Sequence, residues 1–385
     1  MAFDFLVPVE DIVLAHCQLL PAQALGKNIH IHSKNEGLPV LANATVAFIG
    51  VHESRNAFQK KPLRLDITQI RLQLYKLMLG NWNATLVDLG DVEEGHTVQD
   101  TYFVVQEIVS ILLEEKVIPI IIGATQDLTY ATYRAFDAFT NMVNLVAVDS
   151  RFDFGAEEEL ISSNSYMSKI ITDKPNNLFN FSNIGYQSYF NAQEEIDLME
   201  RLFFDAYRLG EITADITLVE PIMRNAHIVS LDARAIRASE IGLSDNFSPN
   251  GFTGREICAI ARYAGLSEKV SVFGIYESEN TVQSFQLIAQ IIWYFIEGIT
   301  YRKEEIPHSD SEDFIKYTVP TDLEELIFFK SVRTNRWWVV VPSIFSTHTK
   351  SNTAALLPCT EKDYLDACSQ QIPERWFKAY KKGFN

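Results

Sequence analysis

Three charged residues at alternate positions, Asp149, Arg151 and Asp153, follow the apolar run Leu145–Val148. Side chains two residues apart in a strand share a face, so a strand continued through DSRFD sets a guanidinium between two carboxylates. Carboxylates placed like this ligate a hard cation or form a buried ion pair. The arginine favours the pair, because it is charged at any working pH, has no lone pair to donate and opposes a cation beside it. Polar groups also close other apolar runs: Gln126 and Asp127 after VIPIIIGAT, Asp232 and Arg234 in AHIVSLDAR, Glu277 after VSVFGIY.

Alternating strands and helices position these groups. Strands are predicted over Ala44–Val51, Ala84–Leu89, Val117–Ile122, Leu145–Val148, Ser182–Ile184, Ala226–Leu231 and Val270–Tyr276. Helical spacing falls between them, over Pro62–Met78, Gln99–Lys116, Leu128–Ala138, Glu194–Leu209, Gly254–Ala264 and Thr281–Ile296. Runs such as VIPIII are apolar on both faces, as buried parallel strands are. The rhythm predicts a three-layer α/β/α domain with a mostly parallel sheet, and ligands beyond the carboxyl ends of its strands.

That domain is placed at 42–301, after an N-terminal arm (1–41) with a helix-like stretch over Val9–Leu20. A polar segment, Arg302–Asp313, then opens a C-terminal extension (302–385), a possible interaction unit. Phe314–Pro320, Leu326–Lys330 and Arg336–Pro342 predict a small antiparallel unit, with helices over Glu361–Ala367 and Pro373–Lys382. At least one of Trp337 and Trp338 must leave that unit's core, where it could anchor a partner.

The net charge of −17 and pI near 4.9 exclude the basic footprint of a nucleic-acid binder. Four scattered cysteines form no disulfide framework or zinc motif. The absence of a long apolar run or of a basic, apolar leader predicts a cytoplasmic protein with no membrane span. The eight histidines do not cluster, and only His52 follows a predicted strand closely. Ser150 has no histidine partner in any motif, so a nucleophilic triad is not expected.

In order and spacing, IGATQD, VDSRFD, SLDAR, PNGFTGREI and YESEN resemble the signatures of the ureohydrolases, the arginase, agmatinase and formimidoylglutamase family. The resemblance implies a fold and a site where two Mn²⁺ ions, held by two His and four Asp, present a hydroxide to a guanidinium-type carbon. Carried over, Gln126 stands for one ligand histidine, Arg151 for the other and Arg234 for an aspartate, while Asp149, Asp153 and Asp232 are kept. Tyr166, in SSNSY, stands where the resemblance puts a proton-shuttling histidine. Glu277 matches the acid that binds the substrate guanidinium, with Arg255 or an active-site arginine as its expected partner. Thr253 is a candidate cap for the helix that begins at TGREI.

No cofactor is expected, manganese included: two guanidinium groups, Arg151 and Arg234, are expected to take the place of the two ions. Losing either should cost on the order of 3–5 kcal/mol, as for a broken buried pair. Any surviving ion site would use Asp149, Asp153 and Asp232. The favoured function is a catalytically inactive binding or assembly component with a protein partner or self-association. The alternative is a hydrolase of a formimidoyl or guanidino substrate with an altered or mononuclear metal site.

Overall fold

The computed structural model describes residues 2–57, 64–139, 142–155, 160–242, 247–307, 311–322, 324–342 and 355–382. Ten strands form one sheet: β1 (Leu6–Val7), β2 (Ile29–Ile31), β3 (Val46–Val51), β4 (Leu86–Val92), β5 (Ile118–Gly123), β6 (Val143–Val148), β7 (Leu178–Tyr186), β8 (Asp205–Arg208), β9 (Ile228–Asp232) and β10 (Val272–Tyr276). The order is β1-β4-β3-β5-β10-β9-β6-β7-β8, and β2 adds to β4 beside β1. Only β1 runs antiparallel to its neighbour; the other pairs are parallel. Every residue of β3, β5 and β6 is buried, because helices cover both faces. The three-layer α/β/α architecture expected from the strand–helix rhythm is the one observed.

Three local expectations differ. The helix expected over Glu194–Leu209 ends at Arg201, and Asp205–Arg208 forms β8 against β7; its half-buried, polar DAYR carries no apolar run to announce it. Residues before 42 do not stand apart either. β1 and β2 extend the sheet, and Val13 and Cys17 of the helix Asp11–Leu19 enter the main core. The helix Ile67–Tyr75, capped by Asp66 accepting from the Gln69 amide at 3.1 Å, is shorter than Pro62–Met78; positions 62 and 63 lie outside the described residues.

The C-terminal residues build a four-stranded antiparallel sheet, β11 (Phe314–Pro320), β12 (Glu325–Ser331), β13 (Trp337–Val341) and β14 (Ala355–Cys359). Its own core includes Phe328, Trp337, Val339 and Trp376, with Trp337 stacked on Tyr317 and Tyr364. Trp338 is the tryptophan that turns away. It meets the main domain, where the Arg224 guanidinium lies 4.5 Å from its ring. No helix among the described residues is long and apolar enough to cross a membrane.

The helices Gly254–Leu266 and Val282–Thr300 touch through glycine. A Cβ built on Gly265 would stand 2.1 Å from the Phe295 carbonyl oxygen, so the helices must separate to admit one. Gly265→Ala is therefore expected to destabilise by about 1–3 kcal/mol, as overpacking does, read from the urea unfolding midpoint.

Candidate functional site

Register brings four strand ends to one edge. Ile122 of β5 pairs with Ile275 of β10, Tyr276 with Asp232 of β9, and Leu231 with Val148 of β6. Gln126, the Asp149–Asp153 turn, Asp232 with Arg234, and Glu277 all follow these aligned ends, beyond the carboxyl edge where open α/β sheets place their sites.

On the β9 side the charges are paired. Asp232 Oδ1 accepts from the Arg234 amide at 2.6 Å, and Oδ2 accepts from Arg234 Nε at 2.8 Å and lies 2.7 Å from Nη2. Arg234 Nη1 donates to Asn164 Oδ1 at 3.2 Å and stands 3.8 Å from Glu277 Oε2. Glu277, at φ 59°, accepts from the Gln126 amide at 3.0 Å. Burial pushes the Glu277 carboxyl up to about 7, although Arg234 works against the rise. Arg255 is exposed, so of the two expected partners Glu277 faces Arg234. The Arg234 and Glu277 side chains are 12% and 9% exposed, whereas Gln126, Asp149 and Asp232 are fully buried. Arg234 and Glu277 thus keep an accessible rim on the cluster.

On the β6 side the expected geometry fails. The strand ends at Val148 and Asp153 takes φ 56°, so alternation no longer sets which side chains share a face. Asp149 Oδ1 accepts from the Arg151 amide at 2.8 Å, an Asx turn that swings the arginine outward. Arg151 Nη1 donates to the Phe190 carbonyl at 3.1 Å, and its guanidinium lies 4.5 Å from the Phe190 ring. Arg151 therefore does not sit between the carboxylates, and one guanidinium, not two, enters the cluster.

Asp149 and Asp153 are left facing each other. Asp149 Oδ2 and both Asp153 oxygens are buried without a hydrogen-bond partner. Two buried carboxylates this close disfavour each other's charge, so both hold their protons more tightly than a free aspartate. Burial, followed by the charges of Asp153 and Asp232, holds Asp149 well above the carboxylate range. Burial carries Asp153 to about 7.

Tyr166 opens the helix Tyr166–Thr172 with no exposed surface. Its hydroxyl contacts Ser230, and burial raises it far above the usual phenol range. Ser230 Oγ also accepts from Gln126 Nε2 at 3.2 Å and meets Thr129 Oγ1 at 2.7 Å. Ser230 and Asn164 thus belong to the site and were not singled out from sequence. Ser230 lies two residues before Asp232, on the same face of β9, which was its signal. Nearby, buried Asp127 accepts from Tyr102 and is raised by burial.

Other candidates lie elsewhere. His52 is buried 3.6 Å from Asp91, in a network where Arg71 holds Asp88 through Nε at 2.7 Å and Nη2 at 3.0 Å. Thr253 does cap its helix: its Oγ1 accepts from the Glu256 amide at 3.2 Å while Glu256 Oε2 accepts from the Thr253 amide at 2.8 Å.

The donor set does not fit two manganese ions. Among the described residues no three His, Cys, Asp or Glu side chains are grouped as a cation requires. Both Asp232 oxygens already take Arg234 hydrogens, and a cation there would meet a guanidinium.

The sequence matches the model of the arginase family over residues 45–295. No curated protein matches it. Among solved structures it resembles the Trypanosoma cruzi formiminoglutamase with Mn²⁺ (TM-score 0.63, 16% identity, covering 73% of this chain and 99% of that one). It also resembles the formimidoylglutamase of Bacillus subtilis (TM-score 0.62, 14% identity, 73% and 93% covered) and the agmatine ureohydrolase of Thermoplasma volcanium (TM-score 0.58, 16% identity, 73% and 95% covered).

Proposed function

This chain belongs to the arginase family, and from that premise we propose that it is a catalytically silent member that works by binding or assembly. The observation that carries this reading is the seat of Arg234, whose backbone amide takes Asp232 Oδ1 while its guanidinium takes Oδ2 and faces Glu277. Glu277 is the acid that the ureohydrolase resemblance assigns to a substrate guanidinium. Here the chain supplies its own. An internal cation in place of one ion keeps the charge balance of the buried acids, and it leaves nothing to polarise a water into a hydroxide.

The C-terminal unit is the best surface for a partner. It lies beyond the family match, and Ile315, Leu365 and Phe377 expose apolar side chains on it. A hydrolase acting on a formimidoyl or guanidino C–N bond through one ion is the second reading. It is favoured by the unpartnered oxygens of Asp149 and Asp153 and by Gln126 Oε1.

Turnover separates the two readings. The purified protein, supplied with manganese or magnesium and with formiminoglutamate, agmatine or arginine, is expected to release no formamide or urea above a protein-free control. Saturable release from any of the three would establish the hydrolase.

A further inference from the structure

The amino ends of the strands, opposite the acid cluster, carry a second charged concavity where the C-terminal sheet docks. Lys116 precedes β5, Arg224 precedes β9, Lys269 precedes β10, Arg302 follows the helix Val282–Thr300 and Arg336 precedes β13. Together they line a cavity of about 990 Å³, with Trp338, Leu356 and Pro358 of the C-terminal sheet forming another wall. The family match ends at residue 295, so the wall from Arg302 onward lies beyond it. The five cations face Glu268, Glu304 and Glu305, and Glu220 pairs with two of them from behind. That is an excess of one positive charge in a chain of net charge −17.

The cations are crowded and incompletely satisfied. Arg224 is 8% exposed. Its Nη2 donates to the carbonyls of Trp337 at 3.0 Å and Cys359 at 3.4 Å, but Nη1 has no acceptor. Glu220 Oε1 lies 3.0 Å from Arg224 Nε without hydrogen-bond alignment, and the same oxygen lies 3.1 Å from Arg336 Nε. One carboxylate thus serves two guanidinium groups. Burial, with Arg336 adding repulsion, lowers Arg224; burial and Arg224 lower Lys269; burial pushes Arg302 down to about 10. A buried guanidinium N–H without an acceptor is costly, and an anion in the cavity would offset the repulsion among these crowded cations.

We propose that this cavity binds a small organic phosphate, its phosphate held by Arg224, Lys269 and Arg336 and its organic part lying against Ile306, Pro307 and Pro358. A phosphate monoester brings about two negative charges at neutral pH and three acceptor oxygens. Its three oxygens can each meet one of Arg224, Lys269 and Arg336, whereas a carboxylate offers two. Arginine and lysine are the side chains that take phosphate oxygens, and the volume suits a ligand of nucleotide size.

Calorimetric titration of the full chain with AMP, glucose 6-phosphate and inorganic phosphate tests this. At least one organic phosphate is expected to bind saturably, one per chain, and more tightly than inorganic phosphate. Lys269 makes its side-chain hydrogen bond to Asn225 at 2.9 Å on an exposed loop, so Lys269→Met should fold with an unchanged melting point. It should nevertheless lose about tenfold in affinity for that ligand. Lys34→Met, at the exposed Lys34–Asp11 pair, should lose none. No binding at millimolar concentration, equal binding of inorganic phosphate, or Lys269→Met binding unchanged would each overturn the proposal.

Discussion

Replacing Arg234 with alanine is expected to lower the unfolding free energy by about 3–5 kcal/mol, the cost of leaving a buried charge without its partner. Asp232 is fully buried, and without Arg234 its Oδ2 loses both guanidinium contacts. Asn164 Oδ1 loses its donor, and Glu277 keeps only the Gln126 amide. The cluster then holds four acids, Asp149, Asp153, Asp232 and Glu277, with no cation among them. Arg151→Ala forms the contrast. It forfeits one hydrogen bond to a carbonyl and a contact with the Phe190 ring, worth about 1–2 kcal/mol together. Chemical denaturation of both variants beside the wild type measures the difference. Equal losses would mean that Arg151, and not Arg234 alone, neutralises the acids.

Asp153→Asn is expected to stabilise the protein at neutral and higher pH and to flatten its dependence on pH. The sign follows from the acid pair. An ordinary aspartate gives up its proton near pH 4, whereas Asp153 holds one up to about 7 and Asp149 well beyond the carboxylate range. The folded protein therefore keeps protons that the unfolded chain releases. The stability this contributes is full below about pH 4, falls by about 1.4 kcal/mol per pH unit for each such proton, and for Asp153 is gone above about 7. Glu277, also raised to about 7, acts in the same window. An asparagine at 153 can donate an N–H to Asp149 without a proton, and it tolerates the left-handed backbone found there. Unfolding free energies measured from pH 4 to 8 should decline less steeply in Asp153→Asn than in the wild type. A wild-type profile that rises over that range would remove the acid pair from the account.

Strand ends were legible in the sequence because buried parallel strands advertise themselves as runs such as VIPIII and AHIVSL. The residues that follow those runs are the ones the register gathers. Asp232, Arg234 and Glu277 could be placed this way because two of them sit at or just past a strand end and the third folds straight back. The DSRFD stretch misled for a physical reason. Alternation holds only while φ stays extended, and the chain leaves β6 at Val148 and passes Asp153 at φ 56°. Ser230 and Asn164 are uncharged, so nothing in their type marked them beside the charged residues they serve. β1, β2 and β8, at two to four residues, are too short for any periodicity to register.

Manganese retention tests the central claim most directly: that a guanidinium occupies the place where the ureohydrolase resemblance puts metal. The purified protein, equilibrated with excess Mn²⁺, dialysed against metal-free buffer and assayed by elemental analysis, should retain no more manganese than a matched Glu277→Gln variant or the dialysis buffer itself. Retention of one or two equivalents per chain would contradict it and restore a metal centre to this site.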